Sequence, residues 1–222
     1  MPESAALPLE VVDGQALDKK YRSILRPGEL VADADGVTRR LPRFFYEVPS
    51  WEAAMDIRLA PHFRLAEFIG VDVREAEPMR IFPRYVPCGV SLLAAQLELF
   101  RQNVGTYVHI TANGSYRSPA HALGTIISPH NWATAADIYR IGDDFLNKRP
   151  TLQRYAKIAR ELLPTCWIRP IGSEPGEADD HLHIDIGYAT LVPREAAGED
   201  EDTELLPSAQ QAVTAGAETE EE

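Results

Sequence analysis

The stretch Asp179-Asp180-His181-Leu182-His183-Ile184-Asp185-Ile186-Gly187 alternates polar and apolar residues. Residues two apart share one face of a strand. The alternation therefore predicts a strand over 181–187, with Leu182, Ile184 and Ile186 turned into a core and His181, His183 and Asp185 on the opposite face. A His/His/Asp face suits a metal or catalytic site on a sheet, and it equally suits a solvated strand face. Working outward, 135–141, 107–112 and 166–171 also read as strands, the second from the alternation of Val108, Ile110 and Ala112 with Tyr107, His109 and Thr111.

Helices fall between them. In 91–103 the apolar residues Leu93, Leu97, Phe100 and Val104 recur at helical spacing, with Ser91 as the expected N-cap. Pro150 opens a helix that Pro164 closes, and Leu152, Tyr155, Ala159 and Leu162 form its apolar face. Phe63 to Ile69 reads as a short helix stopped by Gly70. Strands and helices mix without regular alternation, so the fold class is α+β.

The chain has 222 residues, 45% of them hydrophobic, enough for one substantial core. It divides into an N-terminal arm or small subdomain (1–60), a body (61–192) and an acidic tail (193–222). Residues 194–222 hold ten acids and one base, which leaves −3 of the formal −12 for the other 193 residues. A tail of that composition is expected to be disordered. A nearly neutral body has no basic stripe and excludes a nucleic-acid binder. No apolar run reaches the length of a membrane helix. The first twenty residues lack the basic and apolar regions of a secretory signal, so a cytoplasmic protein, or one exported by a non-Sec route, is expected. The two cysteines, Cys88 and Cys166, are expected to be buried free thiols.

Chemistry concentrates in three places. The first is the strand just described. The second is Ser128-Pro129-His130, followed seven residues after the histidine by Asp137 among Ala135, Ala136 and Ile138. A carboxylate in so apolar a run needs a partner: a structural hydrogen-bond donor or a metal. His130, Asp137 and His183 together offer two imidazoles and a carboxylate, a donor set that zinc accepts while leaving a fourth position for water. Asp180, in the turn before the strand, is placed to act as general base. The third is Gly114-Ser115-Tyr116-Arg117-Ser118-Pro119, whose arginine can hold a substrate carboxylate or an oxyanion. His62 and His109 read as structural, His121 as structural or as a loop residue near the site, and Trp132 as lining the cleft or packing under it.

The succession SYRSPAH, SPHNWATAAD and DDHLH resembles the zinc D-Ala-D-Ala carboxypeptidases, and more closely their phage and bacterial peptidoglycan peptidase branch. HFRLAEF resembles the opening of many members. The resemblance covers about residues 62–190 and implies the fold shared with the hedgehog N-terminal domain: a small, mostly antiparallel sheet flanked by helices. It implies zinc on His130, Asp137 and His183, Asp180 as catalytic acid, and His181 lining the site without ligating. Arg117, Ser115 and Ser128 match substrate-binding and motif positions. The implied activity is hydrolysis of a short peptide containing a D-amino acid, as in peptidoglycan stems, by carboxypeptidase or endopeptidase action. A non-catalytic zinc module on the same fold, or a peptidase of a non-murein peptide, is the alternative. The chain departs from the pattern at Gly114-Ser115, where the two residues are exchanged, at Ala122, where many relatives have Asn, and at Ala133, which replaces a glycine. If position 133 needs a positive φ, its methyl strains the turn.

Overall fold

The computed structural model describes residues 7–122 and 127–193. The acidic segment 194–222 lies outside them, as does the expectation of disorder placed on it. The architecture is α+β, with every strand ladder antiparallel.

The chain opens with β1 (Glu10–Asp13) and α1 (Lys19–Leu25). A hairpin of β2 (Leu30–Ala32) and β3 (Thr38–Arg40) follows, then β4 (Phe44–Glu47) and α2 (Trp51–Asp56). A second hairpin joins β5 (Arg58–Ala60) to β6 (Phe63–Arg64), and β7 spans Tyr85–Pro87. The long helix α3 (Val90–Val104) leads into β8 (Val108–Ile110). After the 3-10 turn Pro129–Trp132 come β9 (Ala135–Ile141), β10 (Asp144–Phe145), α4 (Arg149–Leu162), β11 (Trp167–Ile168) and β12 (Leu182–Asp185).

Two sheets matter most. A three-stranded sheet runs β1-β4-β7, so residues of the first zone pair with a strand of the body. The site-bearing sheet has β9 at its centre, with β12 and β10 along one edge and β8 along the other, and β11 outside β12. One continuous apolar core unites them, from Ile24, Leu25 and Phe45 through Leu93, Leu97 and Phe100 to Ile138, Leu182 and Ile184.

The helical periodicities are realised. α3 buries Leu93, Leu97 and Phe100 and ends at Gly105 in the left-handed conformation. α4 has Pro150 in its first turn, buries Leu152, Tyr155 and Ala159, and stops before Pro164. Ser91 is not the cap of α3: Gly89 is, and the Ser91 hydroxyl donates to the Cys88 carbonyl at 3.0 Å. A side chain at 89 would meet the Trp132 carbonyl at 2.7 Å, so close packing against the 129–132 turn dictates the smaller residue there.

The segment 63–69 is not a helix. Phe63 and Arg64 pair with β5, and only Leu65–Glu67 turns, as a 3-10 element. Phe63, Leu65, Phe68 and Ile69 are all buried, and cross-strand pairing outcompetes a helix of barely two turns. The strands expected over 107–112, 166–171 and 181–187 shorten to the ranges given above. Cys88 and Cys166 are both free, but only Cys88 is fully buried.

Candidate metal centre

The antiparallel register sets His183 of β12 directly opposite Asp137 of β9. Residues so opposed project to the same side. Leu182 and Ile184, on the other side of β12, belong to the apolar core. The polar side is not solvated, however: His183 is 2% and Asp185 5% exposed. What covers it is the 129–132 turn, the 113–117 loop and Trp167, whose ring stands edge-on to His183 at 5.6 Å.

His130 enters from the 3-10 turn. Asn131 starts that turn by accepting from the Ser128 N–H through its side chain (2.9 Å). Ala133 ends it at φ 55°, so the position held by glycine in the resembling pattern does require the left-handed region. Thr134 then ties the turn to the end of β12, donating its hydroxyl to the Gly187 carbonyl at 2.5 Å. The 113–117 loop approaches so closely that Gly114 cannot be replaced. A Cβ there would meet the Thr111 carbonyl at 2.6 Å and the Asp137 carbonyl at 3.0 Å. This is why glycine stands at 114 and serine at 115.

Three side chains distant in sequence thus converge. His130, Asp137 and His183 each present one ligand atom, all within 4.8 Å of one another. Asp137 Oδ1 lies 2.7 Å from His183 Nδ1 and 3.5 Å from His130 Nε2. Bonds of the length zinc makes to nitrogen and oxygen, at tetrahedral angles, put donors roughly 3.4 Å apart. The His130–Asp137 separation already suits a cation, and the His183–Asp137 hydrogen bond has only to open.

The far nitrogens decide the tautomers. His130 Nδ1 donates to the Ser115 carbonyl at 2.9 Å, which leaves the Nε2 lone pair facing the cluster. Burial pushes the His130 pKa down, and Asp137 only partly offsets it, so this imidazole is neutral. His183 donates from Nδ1 to Asp137 and from Nε2 to Asp185, at 2.9 Å. Two carboxylate acceptors require two N–H groups. Burial opposes that charge, but the two carboxylates outweigh it and raise the His183 pKa. Burial likewise opposes ionisation of Asp137, yet the charged His183 that donates to it holds its carboxyl well below the ordinary range.

The remaining expected site residues are placed as follows. Arg117 donates from Nη2 to Asp137 Oδ2 and from Nε to the Asn113 carbonyl, each at 2.5 Å, so its guanidinium fixes the second oxygen of Asp137. Ser115 contributes its carbonyl to His130, while its own buried hydroxyl has no partner among the described residues. Ser128 starts the turn and has no bond to the cluster. Asp180 lies in the bend before β12 and is largely exposed; its Oδ1 accepts from His181 Nδ1 at 2.6 Å. His181 Nε2 lies 3.5 Å from Asp137 Oδ1, shielded from solvent and with no hydrogen-bond partner among the described residues. Asp180 therefore reaches the cluster through His181. His121 is buried beside Asp72 at 3.5 Å and is not among the three residues that present a ligand atom to the cluster. Trp132 packs under the site: it is 1% exposed, among Val31, Leu41 and Ile127, edge-on to Tyr188 at 4.9 Å.

Two contributors escaped the sequence reading. Asp185 was placed on the right face, but its service to His183 Nε2 depends on side-chain direction. The Ser115 carbonyl belongs to the backbone and has no signature in residue type. Compared with protein-family models, functionally curated proteins and solved structures, the chain matches none. The buried His130-Asp137-His183 group can hold a metal ion.

Proposed function

We propose that this chain is a zinc-dependent peptidase. Its substrate in this reading is a short peptide containing a D-amino acid, as in peptidoglycan stems, cleaved by carboxypeptidase or endopeptidase action. One observation carries the reading: each imidazole around Asp137 has its far nitrogen on an oxygen acceptor and its near nitrogen turned toward that carboxylate. Such outer partners are what orient ligating histidines.

His130, Asp137 and His183 would hold the ion, which when bound supplies Lewis-acid polarisation of a carbonyl and activation of water. His181, oriented by Asp180, presents Nε2 at the edge of the cluster, where it can take a proton from the attacking water and return it to the leaving amine. Arg117 keeps Asp137 turned toward the imidazoles and stands beside the place where a substrate carboxylate or oxyanion would lie. The DD-peptidase fold implied by the sequence motifs agrees with the small antiparallel sheet and flanking helices.

The test is a peptidase assay on defined muropeptides and D-Ala-D-Ala peptides, with products read by mass spectrometry. Chelator should abolish cleavage and zinc restore it. Asp180→Asn should keep the ion and lose at least ten-fold in turnover. Full activity in Asp180→Asn would remove the Asp180–His181 pair from the mechanism. A second reading, a non-catalytic cation module, draws on the depth of the site, since His130 and His183 are each only 2% exposed. Metal-loaded protein that binds these peptides without cleaving any of them would favour it.

A further inference from the structure

Three exposed aromatic residues on and beside the site-bearing sheet are not scattered. Tyr107 (64% exposed), Tyr139 (38%) and Phe145 (53%) lie in one row with His109. Tyr107 and His109 stack with centroids 6.1 Å apart; His109 to Tyr139 is again 6.1 Å and Tyr139 to Phe145 6.3 Å. The row crosses β8, β9 and β10, and Tyr139 is two residues along β9 from Asp137. Arginines are interleaved: Arg101 lies 4.8 Å over the Tyr107 ring, and Arg140 lies 5.5 Å over Phe145. Arg140 donates to His109 Nε2 at 3.0 Å, and its buried Nε has no partner among the described residues. A cleft of about 620 Å³ runs alongside, bordered by Asp143, Asp144 and Tyr155.

A contiguous exposed aromatic surface on a soluble chain marks a contact site. Its composition selects the ligand. Single-stranded nucleic acid stacks on aromatic rings but needs a positively charged groove; here Asp143 and Asp144 line the same cleft as Arg140, and Asp144 is paired with Arg154, so the rim carries both signs. A protein partner's apolar core would desolvate these charges at a cost. A pyranose strand needs what is present. Its C–H faces lie on flat rings, while its hydroxyl, amide and carboxylate groups meet the arginines and aspartates. The even spacing of the rings is comparable to one sugar per ring along an extended chain.

We propose that the aromatic row Tyr107-His109-Tyr139-Phe145, with Arg140, is a binding platform for the glycan strand of a peptide-bearing polysaccharide. This rests on the peptidase reading above for the choice of polymer, because the stem peptides cut at the metal centre hang from such a strand. The platform would hold the polymer while the same central strand, β9, presents Asp137 to the peptide.

The test separates the two claims. Full-length protein in excess chelator is sedimented with insoluble murein glycan strands stripped of their stem peptides by an amidase. The native chain should be retained. Tyr107→Ala and Phe145→Ala should each weaken retention at least five-fold with an unchanged circular dichroism spectrum, and Phe145→Trp should keep it. Failure of the native chain to bind stripped strands, or equal binding by both alanine variants, would overturn the platform even if metal-loaded protein cleaves free stem peptides. Binding that follows the ring substitutions in a chain that cleaves nothing would uphold the platform and sink the peptidase. A dimer in sedimentation analysis that Phe145→Ala dissolves would assign the row to self-association instead and overturn the proposal.

Discussion

At the scale of the residue, Asp185 shows how much a second carboxylate does. It accepts from His183 Nε2 and, through Oδ1, from the Gly187 N–H at 2.8 Å, so it is itself held in place. Partners of this kind are worth roughly 10–100-fold in metal affinity. Asp185→Asn should therefore weaken zinc binding by that factor, read by chelator competition, with little change in the far-ultraviolet dichroism. The protonation of His183 leads to a second expectation. Its pKa is raised because, despite burial, two carboxylates accept from it. That bonding stabilises the metal-free fold below the ordinary imidazole range and is lost as pH rises through the raised value. An ion must displace the Nδ1 proton, whereas neutral His130 has none to give at Nε2. Loading near pH 6.5 should release about one proton, measured by calorimetry in buffers of different ionisation heat. Affinity should fall as pH drops below the raised value. Release of no proton would contradict the assignment of His183 as the cationic member.

Elements explain why some of the site was legible in the sequence and some was not. The polar face of β12 was legible because strand parity is a property of spacing alone: 183 and 185 share a face whatever else the chain does. Asp137 stood out as an acid among alanines, whereas the positive φ of Ala133 has no sign in the residue itself and was raised only by the glycine of the resembling pattern. The region before residue 60 gave no chemical signal, yet the β2–β3 hairpin supports the turn that carries His130. Val31 and Leu41 pack on Trp132, Asp33 bridges to Ile127, and Arg39 stacks 4.3 Å over Tyr188 while pairing with Asp33 at 3.0 Å. Such support depends on long-range packing between generic apolar residues, and no local pattern announces it. Leu41 is 1% exposed. Leu41→Ala should open a cavity under Trp132 and cost about 2–5 kcal/mol in denaturant unfolding. It should also shift tryptophan emission and weaken zinc binding. A variant that loses stability while keeping both other properties would show that the hairpin does not position His130.

For the whole molecule, the shared core sets the unit of folding. β1 and β4 complete a sheet with β7, and Ile24, Leu25, Phe45 and Tyr46 lie in the same cluster as the helices of the body. Motif coverage from about 62 to 190 suggests a body that ends where the resemblance does, but packing does not respect that line. Deleting residues 1–60 would leave the edge of β7 unpaired and strip one wall of the core. We expect the truncated chain to lack a cooperative thermal transition by circular dichroism; a sharp, reversible transition would show an autonomous body.

The contact between Asp137 and His183 has a mechanical side. These residues face each other across the β9–β12 ladder, and their side chains are drawn together at 2.7 Å. A cation entering there acts as a wedge, trading an attraction for a spacer and pushing two neighbouring strands from within. Occupancy would then register in the sheet itself. Amide exchange along the β9 and β12 backbones should change on loading, so the state of a hidden pocket can be read from the behaviour of the scaffold that carries it.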